Sequence, residues 1–248
     1  MKEKVEYKRD HLTLRGHLFA KDRFFEHAVI LCHGFLANEK TCFKYAKLLS
    51  EEGYGAFTFD FCGVGLGCSS DGKSEEMSIF SELEDLKAFI DGVKETYQIK
   101  DLSLLGCSQG GLVCAMAAKE KKEEIDSLIL MYPALCIPDD ARKGKMMFYS
   151  FDPQNIPALL GRFPMKLGGV YARSVIDKDV YGLIGGYDGP VLYLHGTKDE
   201  VVDISYARKA KDLYPNCQYH EIIDGGHMFK GEQDKQACAL LKKFMKRN

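Results

Sequence analysis

The chain has 248 residues, 46% hydrophobic and 28% charged, with 34 Lys and Arg against 36 Asp and Glu for a formal net charge of -2. This composition excludes disordered and fibrous classes, and near-neutrality without a long basic run leaves no electrostatic footprint for nucleic acid. No run of about 18 apolar residues is present and Met1-Lys2-Glu3-Lys4-Val5-Glu6 holds no apolar signal core, so no membrane association is expected and the location is expected to be cytoplasmic.

One domain over 1–248 is expected from the length. Tyr7 to Phe19 alternates around Arg9-Asp10 as an opening hairpin at a sheet edge, with Leu12, Leu14 and Leu18 on one face. Ala28-Val29-Ile30-Leu31-Cys32 is a continuous apolar run, the pattern of a strand covered on both faces, and it ends in His33-Gly34-Phe35. Helical spacing follows over Thr41 to Glu52, then a buried strand over Gly55 to Phe59. A loop from Asp60 to Gly72 carries Gly63, Gly65, Gly67 and Gly72. It is no phosphate loop, because G-x-x-x-x-G-K-[ST] is absent. Ser78 to Tyr97 reads as a long amphipathic helix facing inward through Ile79, Leu83, Leu86, Phe89, Ile90 and Val93.

Leu102 to Cys107 is the next buried strand, followed by an apolar helix over Gly111 to Ala118, and Ser127 to Met131 is another strand. From Cys136 to Gly189 sustained periodicity is lost, over a stretch too long for a plain loop, which points to an inserted cap. Order returns with a strand at Val191 to His195, a helix at Ser205 to Tyr214, a strand at Gln218 to Ile223 and a helix at Gln233 to Lys246. Strands alternating with helices predict an α/β fold, a mostly parallel twisted sheet with helices on both faces. The nine cysteines lack any C-x-x-C pair and read as reduced thiols; Cys107 is a small core residue or, alternatively, a reactive thiol.

Ser108 stands in Gly106-Cys107-Ser108-Gln109-Gly110 between a strand and a helix. Such an elbow holds the serine in a strained backbone conformation, with glycines where side chains would collide. A serine hydroxyl needs a base and a group to orient that base. His227, in Asp224-Gly225-Gly226-His227, follows the last strand and is the expected base. Asp199, a few residues past the Val191 strand, is the expected orienting acid, with Glu200 and Asp203 as competitors and Asp224 too close in sequence. His11, His17, His27, His195 and His220 read as structural or solvated. Backbone N–H groups of Phe35 and Gln109 are the expected oxyanion donors, with His33 anchoring the Phe35 loop.

With HGF at 33–35, GCSQGG at 106–111, LGG-V-YAR at 167–173, HGTKDEVV at 195–202 and GGH at 225–227, the chain resembles the α/β-hydrolase superfamily along essentially its whole length. More narrowly it resembles bacterial cinnamoyl (feruloyl) esterases. The resemblance implies an α/β-hydrolase fold with 136–189 as a small cap, and pocket residues meeting a phenolic ring. Asp140 and Tyr171 fall nearest those positions, and Met147 lies in an apolar Met146-Met147-Phe148 stretch where a similar enzyme offers a glutamine.

The expected function is a serine carboxylesterase hydrolysing hydroxycinnamate esters through an acyl-enzyme, with Ser108, His227 and Asp199 as triad and neither metal nor organic cofactor. The expected partner is a small-molecule ester, and monomer and homodimer are both open. The alternatives are a monoacylglycerol or short-acyl esterase and, from another class, a hydrolase-like binding protein without turnover.

Overall fold

In the computed structural model, which describes residues 1–65 and 67–246, the apolar runs become the inner strands of one eight-stranded sheet. In chain order the elements are β1 (Lys2–Arg9), β2 (Leu12–Phe19), β3 (His27–Cys32), α1 (Phe43–Glu51), β4 (Gly55–Phe59), α2 (Ile79–Thr96), β5 (Asp101–Cys107), α3 (Gln109–Glu120) and β6 (Ser127–Met131). Next come α4 (Ile137–Arg142), β7 (Lys145–Met146), β8 (Tyr149–Ser150), β9 (Leu159–Gly161), β10 (Leu167–Gly168), α5 (Val170–Val175) and α6 (Val180–Ile184). The chain closes with β11 (Val191–Gly196), α7 (Ile204–Ala210), β12 (Cys217–Ile222) and α8 (Gly231–Met245).

The main sheet runs β1-β2-β4-β3-β5-β6-β11-β12. Pairing is parallel from β4 through β12, and antiparallel between β1 and β2 and between β2 and β4. Side chains alternate across a strand, so a run that is apolar throughout serves two cores. Ala28, Ile30 and Cys32 of β3 join the core beneath α2 and α3, whereas Val29 and Leu31 join the core beneath α1 and α8. Leu128 and Leu130 of β6 separate from Ile129 and Met131 in the same way.

The opening hairpin begins earlier than its apolar alternation indicates: β1 pairs from Lys2, opposite Phe19, and Asp10 makes the turn at φ 53°. An edge strand can be solvated along most of its length, so Lys2-Glu3-Lys4 shows no apolar signal. The helix after β5 likewise starts at Gln109, and the helix after β11 stops at Ala210, followed by a 3-10 turn over Lys211–Leu213. α2 forms where expected, with Ser78 and Ser81 closing a reciprocal cap at its N-terminus. Phe89 on its inner face stacks on Phe59 at 4.2 Å, an aromatic pair typically adding about 1 kcal/mol beyond its burial.

The glycine loop after β4 is a structural turn. Asp60 Oδ1 accepts the Glu39 N–H at 2.7 Å, and Oδ2 accepts from Ser69 N–H and Oγ at 2.6 and 2.8 Å. Gly65, at φ 85°, packs so closely on the Ala37 carbonyl that a Cβ would collide with it. The segment 136–189 contains three short helices and two two-stranded hairpins, each too brief to leave a period in the sequence. Among the described residues no helix is long and apolar enough to cross a membrane.

Candidate active site

Ser108 joins β5 to α3 with φ 54° and ψ -120°, a conformation that L-residues rarely adopt. Gly106 packs on the Gly110 carbonyl, and Gly110 on the carbonyls of Cys32 and His33, so a Cβ at either position would collide with backbone. The strained turn is held by Ser108 N–H donating to Met131 O at 3.0 Å and by Ala134 N–H donating to Ser108 O at 2.9 Å.

The loops after β11 and β12 are tied to each other. Thr197 N–H donates to Ile222 O at 3.0 Å, Lys198 N–H to Gly225 O at 2.8 Å, and Asp224 N–H to Thr197 Oγ1 at 2.9 Å. This stitching brings Asp199 to His227, whose Nδ1 lies 2.8 Å from Asp199 Oδ2 and whose Nε2 lies 2.9 Å from Ser108 Oγ. The structure therefore brings Ser108, His227 and Asp199 into one hydrogen-bonded line. Asp199 Oδ1 accepts Val201 and Val202 N–H at 2.9 Å each. Burial opposes its ionisation, but the His227 bond and these two N–H groups outweigh it and hold the carboxyl below the usual aspartate range. Glu200 is exposed, Asp203 caps α7 through Ser205 N–H, and Asp224 pairs with Lys198 at 2.7 Å.

His33 is fully buried, with Nδ1 2.9 Å from Gly34 O and Nε2 accepting Phe61 N–H at 3.2 Å. Those bonds fix the neutral ring with its proton on Nδ1, and burial lowers its pKa. The loop it holds lies against the elbow: a Cβ on Gly34 would sit 3.0 Å from Ser108 Cβ. Phe35 N–H has no partner among the described residues, Gln109 occupies the first helical position after Ser108 with its N–H outside the helical ladder, and both residues line the same cavity as Ser108. His195 is buried, donates from Nε2 to Val202 O at 2.9 Å and braces the Asp199 loop. His17 and His27 pair with Glu39 and Asp101.

A cavity of about 480 Å³ opens over Ser108 and is lined by residues of both the sheet loops and the 136–189 segment. Asp140, Met147 and Tyr171 all line it, away from the hydrogen-bonded line. Asp140 is half-buried and its carboxyl is raised by desolvation. Met147 sits at the tip of the β7–β8 hairpin with 41% exposure, while Met146 is the buried methionine of the wall and Phe148 points outward. Tyr171 is buried, donates its hydroxyl to Gln109 Oε1 and packs 5.5 Å from the Phe35 ring.

Sequence reasoning missed several lining or supporting groups. Tyr132, at φ 41°, packs edge-on against His227 with the ring centroids 4.9 Å apart. Lys44, Tyr45 and Asp234 also line the cavity, where Asp234 pairs with Lys44 and accepts from Tyr45 Oη at 3.3 Å. Glu82 bonds the Gln109 side chain at 2.6 Å. Only Glu82 left a signal, as one of two carboxyls, with Asp85, on the buried stripe of α2.

A family model described as serine aminopeptidase, S33 matches residues 25–166, and one described as alpha/beta hydrolase fold matches 163–234. The chain is 27% identical over 197 residues to the monoglyceride lipase of Saccharomyces cerevisiae, an alignment covering 76% of this chain and 59% of that protein's length. It is 22% identical over 268 residues to the AB hydrolase superfamily protein YisY of Bacillus subtilis, covering 95% of this chain and 96% of that one. Among solved structures it is similar to Est1E from Butyrivibrio proteoclasticus with ferulic acid bound, at 29% identity, 98% coverage of both chains and a TM-score of 0.88.

Proposed function

We propose that this chain, which belongs to the α/β-hydrolase family described as serine aminopeptidase, S33, is a serine carboxylesterase acting on hydroxycinnamate esters through an acyl-enzyme. The single observation that carries the ester chemistry is the line from Ser108 Oγ through His227 to Asp199, at 2.9 and 2.8 Å, at the floor of a cavity. Ser108 Oγ attacks the ester carbonyl while its proton passes to His227 Nε2, and Asp199 stabilises the imidazolium. The oxyanion is met by the N–H groups of Phe35 and Gln109. As the tetrahedral adduct collapses, the bond to the alcohol oxygen breaks and His227 returns the proton to it. Water, deprotonated by His227, then repeats the attack on the acyl-enzyme and releases the acid and Ser108.

The hydroxycinnamoyl reading rests on the cavity and on the likeness to Est1E, whose structure holds ferulic acid. Ile137, Met146 and Met147 supply apolar surface for a planar acyl group, with the oxygens of Asp140 and Tyr171 beyond it. In this reading 136–189 acts as a cap that shapes the acyl end. A second reading, a monoacylglycerol or short-acyl esterase, is favoured by the same methionine wall, which adapts to alkyl chains, and by the yeast lipase likeness. Comparing kcat/KM on methyl ferulate and p-nitrophenyl butyrate separates them. The first reading expects ferulate to be preferred; an aliphatic preference by a wide margin would overturn it. Failure of Ser108 to react with a fluorophosphonate probe would favour a non-catalytic binding protein.

A further inference from the structure

Besides Asp140, two charged side chains line the cavity and take no part in acyl transfer, Lys44 and Asp234. Lys44 lies on α1, Asp234 lies in the first turn of α8, and the two form an ion pair. Tyr45 Oη donates to Asp234 Oδ1 at 3.3 Å, and Lys44 Nζ stands 5.9 Å from the centroid of the Tyr45 ring. An ammonium has three N–H groups and a carboxylate about four acceptor positions, so the pair keeps donors and acceptors beyond its internal bonds. A hydroxyl group, donor and acceptor at once, matches that set. An alkyl group displaces the water on the pair and returns no hydrogen bond.

The chemistry of the leaving group assigns the pair to one half of the substrate. His227 Nε2 returns its proton to the departing alcohol, so the alcohol leaves on the side of Ser108 where His227 stands. His227 packs on Tyr132, and Tyr132 on Phe229 with ring centroids 5.0 Å apart. Tyr132, Phe229 and Tyr45 share the core beneath α1 and α8, whereas Ile137, Met146 and Tyr171 belong to the core beneath α2 and α3. The cavity wall is thus drawn from both faces of the sheet, and Lys44 and Asp234 stand with the half that carries the neighbours of His227. We infer that Lys44 and Asp234 are specificity-determining residues for the alcohol half of the ester, selecting a polyol over an alkanol of the same carbon number. This rests on the ester-hydrolysis reading and is independent of which acyl group the cavity takes.

The test compares the 2,3-dihydroxypropyl and propyl esters of one acid, with ferulic and butyric acid as separate series. Wild type, Lys44→Met, Asp234→Leu and the double variant are used as full chains, with folding checked by circular dichroism melts. The readout is the ratio of kcat/KM for the dihydroxypropyl over the propyl ester, in whichever series the enzyme turns over. A general loss of structure lowers both esters alike and leaves this ratio unmoved. The Lys44 side chain is 53% exposed and can turn to water, so a wild-type ratio of about tenfold is expected rather than the roughly 10⁴ of a sealed site. It should fall to about one to two in the double variant, which leaves no unpaired charge, and to values between in the single variants. A wild-type ratio near one, or an unchanged ratio in a folded double variant, would overturn the proposal while leaving ester hydrolysis intact. Turnover of neither series would overturn the ester reading and the proposal with it. A second measurement needs no variant, because the site that releases an alcohol also admits one. Wild type is given a p-nitrophenyl ester with glycerol and 1-propanol at equal molar concentrations. The incoming hydroxyl oxygen bonds the acyl carbon, the bond to Ser108 Oγ breaks, and the hydroxyl proton passes through His227 to Ser108 Oγ. Glyceryl ester should exceed propyl ester about tenfold; absence of glyceryl ester, or a yield within about threefold of the propyl ester, would refute the site.

Discussion

Replacing Asp199 with Asn changes one oxygen for an NH2 at nearly constant volume, and the site determines which way the new amide points. Val201 and Val202 N–H groups both aim at Oδ1, so the Asn oxygen must remain there and its NH2 must face His227 Nδ1. An NH2 donor requires Nδ1 to accept, which moves the imidazole proton to Nε2, the atom that must take the Ser108 proton. The ring is then held in the tautomer that cannot act as base. Loss of that function is expected to lower kcat on the order of 10⁴-fold, about 5.4 kcal/mol of barrier. Steady-state kinetics on a p-nitrophenyl ester gives kcat, and a thermal melt shows whether the loop survives. A loss smaller than about tenfold in a folded Asp199→Asn enzyme would refute the tautomer reasoning.

Gly34→Val places branched carbon where a Cβ alone comes within 3.0 Å of Ser108 Cβ, so the Phe35 loop must move off the elbow. A kcat loss of about 10²-fold with little change in Tm is expected, as for removing one oxyanion donor; unchanged kcat would separate the loop from catalysis. Glu82→Gln should alter the pH dependence of stability. Burial raises the folded carboxyl above its ordinary 4.5, so from about that pH upward the unfolded chain releases a proton that the folded wild type retains. Wild type therefore loses stability as pH rises toward the folded value, while the amide does not. The Tm of Glu82→Gln minus that of wild type should increase from pH 4 to pH 8, and a constant difference would contradict the buried neutral acid.

Much of the sheet is legible in the sequence because its inner strands are covered on both faces. Ala28–Cys32 and Leu128–Met131 cannot alternate with polar residues when each face meets a helix layer, so they read as unbroken apolar runs, and Gly55–Phe59 departs from that pattern only at Thr58, whose hydroxyl donates to Glu39. The ends of β5, β11 and β12 carry the loops that hold Ser108, Asp199 and His227, and the glycines at 106, 110, 225 and 226 mark where those loops approach other backbone or turn. The β1 edge is harder to read, since solvent covers most of Lys2 to Glu6. So is the 136–189 segment, where elements of two to six residues are stabilised by tertiary contact rather than by any period of their own. This is why Met147 stood out by composition although Met146 is the more buried of the pair: a two-residue strand and a positive φ at Met147 decide which side chain turns inward. Tyr132 and Asp234 could not be placed from sequence, because Tyr132 meets His227 across loops leaving β6 and β12 and Asp234 meets Tyr45 through the packing of α8 on α1.

Acyl transfer through Ser108 is tested most directly by Ser108→Ala, which removes the attacking oxygen and little else. The variant is expected to fold, with a Tm within a few degrees of wild type, to leave no covalent acyl adduct in intact-mass spectra after mixing with ester, and to lose kcat on the order of 10⁴-fold or more. Turnover retained at near wild-type rates by the folded Ser108→Ala enzyme would contradict the proposed mechanism.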